Sequence, residues 1–529
     1  MAKPHHPHVM MVPLPAQGHV IPLLELAQCL AKHGIRITFL NTEIIHDRIV
    51  NGSSGEYALD DRIRLVSVPD GLKSEERYIP GKLTEAVYKM MPRKIEELVK
   101  EIEVSEEEDD KISCVVYDQG IGIIHEVAKK LGIGSAMFSP AAAAVLVLSL
   151  NIPKLIEDGI VDDEGTLLKN ETVQFAPAMP IMPPSDFVWN RLQFLPLQKH
   201  FFNIMKRNNE PIKYADRLIC NSIYDLEPGA FTVAPQILPI GPLLASNRLG
   251  NSAGHFWPHD SNCIEWLDQQ PPRSVIYAAF GSSTIFNTAQ FQELALGLEN
   301  TNRPFLWVVR PEITSGPENR DVLDRVSSSR GRIISWAPQQ KVLSHSSIAC
   351  FISHCGWNST VESVSNGVPM LCWPYFADQF INQSYICDIW KIGLKFEQDH
   401  GVGIITSEEI KEKIDQLLGD DVFKDRALDL KERISCSARE GGNSYKNFKN
   451  FIMQRKNHTG FYMQPTSAMV VDILDFVNIL TVLTKTSKAH EIKREGGTTC
   501  EQCEIYAEKK PAHIISAMAH VRPGTLQSF

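Results

Sequence analysis
Short apolar runs and amphipathic stretches take turns along this chain. The run HVMMVPLP near the start reads as a strand, and VIPLLELAQCLAKHG, after the loop AQGH, has helical spacing with Gly34 where a helix should stop. IRITFLNT is apolar again, so the segment predicts two parallel strands joined by a crossover helix. The pattern continues with a strand ISCVVYD (112–118) that stops at Asp118, a helix IGIIHEVAKKLGI, and RLICNSIYDLE (217–227). Around 238–262 the chain turns to Pro, Gly, Asn and Ser, which marks a linker. A second series follows: SVIYAAFGS as a strand, TAQFQELALGLENT as a helix, and RPFLWVVR and GRIISW as strands. IACFI then predicts a strand, the stretch from Ser359 a helix ending at Gly367, and VPMLCWP another strand. ITSEEIKEKIDQLLG and FKDRALDLKERISCSARE read as late helices.

The fold class expected is α/β, with two doubly wound parallel-sheet domains whose strand ends face one another across a cleft. The boundaries are an N-terminal domain at 1–240, a linker at 241–262, a C-terminal domain at 263–456 and an atypical tail at 457–529. The tail is polar and unpatterned over much of its length, and poor order is expected there.

Composition narrows the function. The chain has 529 residues, 43% hydrophobic and 22% charged, as ordinary globular proteins do. Its net charge of −10 gives no basic field for nucleic acid. The N-terminus has no charged segment followed by an apolar core, so no signal or transit peptide is expected, and no run is long enough to span a bilayer. Eleven cysteines, an odd number scattered through apolar runs, suit reduced thiols in the cytoplasm.

The chemistry concentrates in SHCGWNSTVES (353–363), a strand-to-helix turn of the kind that attracts phosphate. His354, Asn358 and Ser359 stand where donors would meet phosphate, or are ordinary turn residues. Glu362 is either the partner of Ser359 in a capping box or the acceptor for a sugar diol. Trp336 offers a flat surface for a base or sugar, or fills the core. Asp378 and Gln379, at the start of a helix, combine the acceptors and donors needed to grip sugar hydroxyls, although Asp378 could simply cap that helix. GSS (281–283) is a weaker phosphate-height turn. The glycine signatures of NAD and ATP sites are missing from it. In the other half, His19 follows the first strand and Asp118 ends a later one, which would let a carboxylate orient an imidazole acting as general base.

The whole stretch from Trp336 to Gln379 resembles the signature box of plant secondary-product UDP-glycosyltransferases, without a gap. PAQGH, the strand-ending Asp118 and GGNSYKNF extend the likeness over roughly residues 7–455. The resemblance implies a GT-B fold, two Rossmann-like domains facing across a cleft. It implies UDP-glucose as donor, with no cofactor and no metal, and a small hydrophobic acceptor. By it, Trp336 stacks on uracil, with Ala337 and Gln339 at the base edge, and Glu362 holds the ribose diol. His354, Asn358 and Ser359 take the phosphates with help from Ser283, while Trp357, Asp378 and Gln379 hold the sugar. Ser139 stands where the family often has a threonine near the sugar. His19 and Asp118 become the catalytic pair of an inverting, cytoplasmic and monomeric enzyme, with glucose passing to a hydroxyl or carboxyl of a phenolic, flavonoid, terpenoid or hormone. A catalytically silent UDP-sugar-binding protein on the same scaffold is the competing reading, and the presence of both His19 and Asp118 speaks against it. Cys500-x-x-Cys503, with His513 and His520 beyond, is a weak zinc signal.

Overall fold
The strand–helix alternation builds two wholly parallel sheets. In this computed structural model the described residues run from 7 to 456, apart from 53–58, 74–75, 80, 104–110, 193–194, 244–261, 283, 285, 311–321, 323–329 and 398–402. The tail, most of the linker, Ser283 and the Cys500–Cys503 motif therefore lie outside them.

The first sheet holds β1 (His8–Val12), β2 (Arg36–Thr42), β3 (Ile63–Val68), β4 (Ile112–Asp118), β5 (Gly134–Ser139), β6 (Leu218–Cys220) and β7 (Ile237–Pro239). Their order is β3-β2-β1-β4-β5-β6-β7. The second holds β8 (Val275–Ala279), β9 (Phe305–Val308), β10 (Gly331–Ile334), β11 (Ile348–Ser353), β12 (Met370–Cys372) and β13 (Gly393–Lys395), in the order β10-β9-β8-β11-β12-β13. Helices cover both faces of each sheet, which is why the strands read as unbroken apolar runs. Along β1, Met10 and Val12 join one core layer and Val9 and Met11 the other. In β8, Tyr277 and Ala279 face one layer and Ile276 and Ala278 the opposite one.

Each strand order reverses once. In the first sheet the reversal lies between β1 and β4, and in the second between β8 and β11. Loops leaving neighbouring strands in opposite directions open a crevice at such a point, where ligands of α/β proteins bind.

The two lobes are pinned together by buried contacts. The Trp357 indole N–H donates to the Asn221 carbonyl and that of Trp390 to the Leu226 carbonyl, each at 2.9 Å. Trp357, Val361, Ile381 and Tyr385 join the core layer of the first lobe. The last helix among the described residues, Asn443–Lys456, returns to the first lobe. Its Phe448, Phe451 and Ile452 enter that lobe's second core layer, and Asn447 donates to the Pro239 carbonyl at 2.9 Å. The sequence pattern grouped this helix with the C-terminal domain, because periodicity identifies an apolar face without saying which sheet it covers.

Of the aromatics Phe187, Trp189, Phe201 and Phe202, which could line an acceptor pocket or equally fill a core, Phe187, Trp189 and Phe202 are fully buried core and Phe201 is half-buried against it. The rings of Phe187 and Trp189 meet tilted at 5.1 Å and those of Trp189 and Phe202 edge-to-face at 5.0 Å, and the Trp189 N–H is spent on the Gly165 carbonyl.

Candidate active site
Both reversal points carry the predicted residues. The loop after β1 leads into the helix Gln17–Ala31, whose first turn presents His19. Its neighbour β4 ends at Asp118, which is fully buried and whose carboxylate accepts from the Gly120 backbone N–H at 2.7 Å. That second bond fixes the carboxylate, and His19 Nδ1 donates to its Oδ2 at 2.8 Å. The imidazole keeps 29% of its surface exposed, so Nε2 is the ring nitrogen left unengaged by Asp118. Burial works to lower the His19 pKa. The charge and hydrogen bond of Asp118, with the charge of Asp378, outweigh it, and the net shift is upward. Asp378 belongs to the other lobe, so the cleft brings the two sequence-separated groups within electrostatic reach.

On the facing side, the turn after β11 enters the helix Trp357–Asn366. Gly356 at its N-cap supplies no side-chain oxygen, so the first-turn N–H groups are left for another acceptor. Cys355, just before it, holds φ +64°, a left-handed conformation costly for a residue with a Cβ. Its backbone N–H donates to Ser353 Oγ at 3.1 Å, which helps hold the turn. The His354 ring lies against the turn after β8. A Cβ added at Gly281, itself at φ +67°, would come 2.6 Å from His354 Nε2, and one at Gly356 would come 2.5 Å from it. Burial pushes the His354 pKa down to about 4, with Arg310 adding to the effect and the Ala279 backbone opposing it, so the ring is neutral near pH 7. Gly281→Ala should cost about 1–3 kcal/mol of stability from the backbone term alone, read as a lower denaturant midpoint.

The Asn358 amide donates to the Gly18 carbonyl at 2.8 Å, tying the second lobe to the helix turn that presents His19. Its Oδ1 is buried with no partner. Ser359 and Glu362 do not form a capping box. The helix begins at Trp357, so Ser359 sits inside its first turn, and both side chains are engaged by Gln339. Gln339 Nε2 donates to Ser359 Oγ at 2.8 Å and to Glu362 Oε2 at 2.5 Å, while its Oε1 accepts from the Tyr277 hydroxyl at 3.1 Å. Burial raises the Glu362 pKa to about 7, with Gln339 and Gln340 acting to lower it. Trp336 is half-buried just beyond β10, and the next residue, Ala337, is in the core.

Asp378 occupies the N-cap of the helix Gln379–Ser384 without capping it. Its Oδ2 accepts from Asn382 Nδ2 at 3.0 Å, and burial raises its pKa although Asn382 and His19 oppose the shift. Ala377, just before it, also has a positive φ, +54°. Gln379, 4% exposed, accepts through Oε1 from the backbone N–H groups of Tyr375 and Phe376 at 2.7 and 3.0 Å, so neither bond uses its amide nitrogen. Ser139 is wholly buried at the end of β5, where its hydroxyl donates to the Ala141 carbonyl at 3.3 Å. The indole N–H of Trp357, already bound to Asn221, is not available to a sugar.

Sequence reasoning missed three contributors. Arg310 holds the turn after β8, donating to the Ser282 carbonyl at 2.6 Å and to that of Thr284. Gln340 Nε2 donates to Glu362 at 3.4 Å and to Glu25 of the first lobe at 2.9 Å. The repeated glutamine of WAPQQ was the visible signal for Gln340; a glutamate on a helix face gave none for Glu25. No group of metal-ligating side chains occurs among the described residues, and none of their helices is long and apolar enough to cross a membrane.

Comparison with known proteins agrees with this architecture. Residues 245–434 match the family described as UDP-glucoronosyl and UDP-glucosyl transferase. UDP-glycosyltransferase 83A1 of Arabidopsis thaliana is 47% identical over 84% of this chain and 96% of its own. Linamarin synthase 1 of Manihot esculenta is 31% identical over 85% of this chain and 96% of its own. Among solved structures, a UDP-glucosyltransferase from Polygonum tinctorium capable of glucosylating indoxyl superposes with a TM-score of 0.72 at 27% identity, covering 86% of this chain and 99% of that one. Os79 from O. sativa in complex with UDP superposes with a TM-score of 0.70 at 27% identity, over 84% and 100% of the two chains. The two facing lobes are those of the GT-B fold, and the chain belongs to the plant UDP-glycosyltransferase family.

Proposed function
We propose that this glycosyltransferase moves glucose from UDP-glucose to a hydroxyl or carboxyl of a small hydrophobic acceptor, with inversion to a β-glucoside. The observation that carries the reading is the His19–Asp118 pair, held at 2.8 Å on one wall of a cleft whose other wall is the turn at 354–359. His19 Nε2 takes the proton from the acceptor oxygen. That oxygen attacks the anomeric carbon from the face opposite UDP, the bond to the β-phosphate oxygen breaks, and UDP leaves. Asp118 stabilises the imidazolium that forms. Negative charge grows on the departing phosphate, where the open helix N–H groups, Asn358 and a neutral His354 supply hydrogen bonds. Trp336 stacks on uracil with Ala337 at the base edge, Glu362 accepts from the ribose diol, and Gln379 with Asp378 holds glucose. Ser283 assists at the phosphates, whereas the buried Ser139, with its hydroxyl on Ala141, is left out of the sugar site. The reaction needs no cofactor, and the enzyme works as a cytoplasmic monomer.

The test is to incubate purified protein with UDP-glucose and a panel of phenols, flavonoids and terpenoid alcohols. Mass gain of one hexose, with a β-anomeric proton coupling by NMR, supports the reading. Tight UDP-glucose binding with no product on any acceptor would favour the silent binding protein. Substituting Glu362→Ala should weaken UDP by about 1.5–3 kcal/mol, measured by calorimetry at pH 8, where the carboxyl is largely ionised. Unchanged affinity would remove Glu362 from the nucleotide site.

A further inference from the structure
The helix that presents His19 touches the opposite lobe a second time. Glu25 lies further along it, 4% exposed, and its Oε1 accepts from Gln340 Nε2 at 2.9 Å. The same Gln340 nitrogen donates to Glu362 Oε1 at 3.4 Å, so one amide spans a carboxyl from each lobe. Its other end, Gln340 Oε1, is buried without a partner. Two carboxyls, Glu25 buried and Glu362 half-buried, bridged by one amide are a costly arrangement unless at least one is protonated or the group does a job.

We propose that Glu25 is a positioning residue for the donor site: through Gln340 it fixes the Glu362 carboxyl for the ribose diol and docks the His19 helix against it. This rests on the reading of Glu362 as the ribose ligand. The protonation states agree with the geometry. Burial, with the charge of Glu362 adding and Gln340 opposing, raises the Glu25 pKa to about 8. Near pH 7 the group is therefore mostly a neutral acid, which keeps a full carboxylate pair from forming across the cleft. Glutamine is then the faithful replacement for it.

The experiment measures UDP affinity by calorimetry, and kcat and KM for UDP-glucose, on Glu25→Ala, Glu25→Gln, Gln340→Ala and Glu25→Ala/Gln340→Ala in the full chain, with thermal melting alongside. Glu25→Ala should raise the UDP dissociation constant about 3–10-fold, the effect of losing one neutral hydrogen bond. The change should fall on KM for UDP-glucose rather than on kcat at saturating donor. Glu25→Gln should restore most of the affinity, and the double variant should be no weaker than Gln340→Ala alone. Lower melting with UDP affinity unchanged in Glu25→Ala would overturn the proposal, as would additive losses in the double variant. If Glu25→Ala does not fold, Glu25→Gln and Gln340→Ala decide: retained affinity in the first with loss in the second supports the proposal, and retention in both overturns it. Glu362→Ala separates the two readings. If it weakens UDP and Glu25→Ala does not, the positioning role alone fails; if it does not, the ribose assignment has failed first.

Discussion

Replacing His19 with alanine should lower turnover about 10²–10⁴-fold, as expected for loss of a general base, while UDP affinity stays near that of the unaltered protein. The two effects separate because His19 stands on the first lobe, and the groups read as nucleotide contacts, Trp336, Glu362 and the turn at 354–359, stand on the second. Single-turnover kinetics with a phenolic acceptor, paired with UDP calorimetry, makes the check. Near-normal turnover would rule His19 out as the base. Adding an external imidazole should recover part of the rate, since the cavity left by the ring opens where 29% of it is exposed.

Asp118→Asn should lower turnover by a similar amount, about 10³–10⁴-fold, by analogy with the carboxylate of a catalytic triad. The amide can hold the ring but cannot stabilise its cation. The pH profile gives the sharper test. The base must be unprotonated, so turnover rises with pH through the His19 pKa, which in this protein lies above its ordinary value. Removing the Asp118 charge takes away the main influence raising that pKa and leaves burial to lower it, so the acidic limb should move to lower pH. An acidic limb that stays in place would mean another group controls it. The double variant with His19→Ala should be no slower than His19→Ala alone, because the two side chains act as one unit.

Much of this site was legible because its residues lie at strand ends, and strand ends show in the sequence. Apolar runs located β1, β4, β8, β11 and β12, and the polar residues just beyond them marked the turns. The resemblance then supplied an expected role for each. What could not be read is how those side chains are spent. Ser359 and Glu362 have the spacing of a capping box, yet Gln339 of another element claims both. The spacing was local and the competing donor was not. Trp357 was expected on the sugar, but its N–H is committed across the interface to Asn221. Phe187, Trp189 and Phe202 could have lined a pocket or filled a core, and only three-dimensional packing distinguishes the two. The pairing of Glu25 with Gln340 joins residues far apart in sequence on two lobes, which hydrophobic periodicity does not encode.

The return of Asn443–Lys456 to the first lobe bears on how such enzymes can be recombined. A chimera joined once, in the connector after β7, would import a foreign copy of this helix along with the new second lobe. Its aromatic side chains would then have to fit a groove shaped for Phe448 and Phe451. A graft with two junctions, the second at Gly441–Gly442, would exchange the second lobe while the first keeps the helix shaped to cover it.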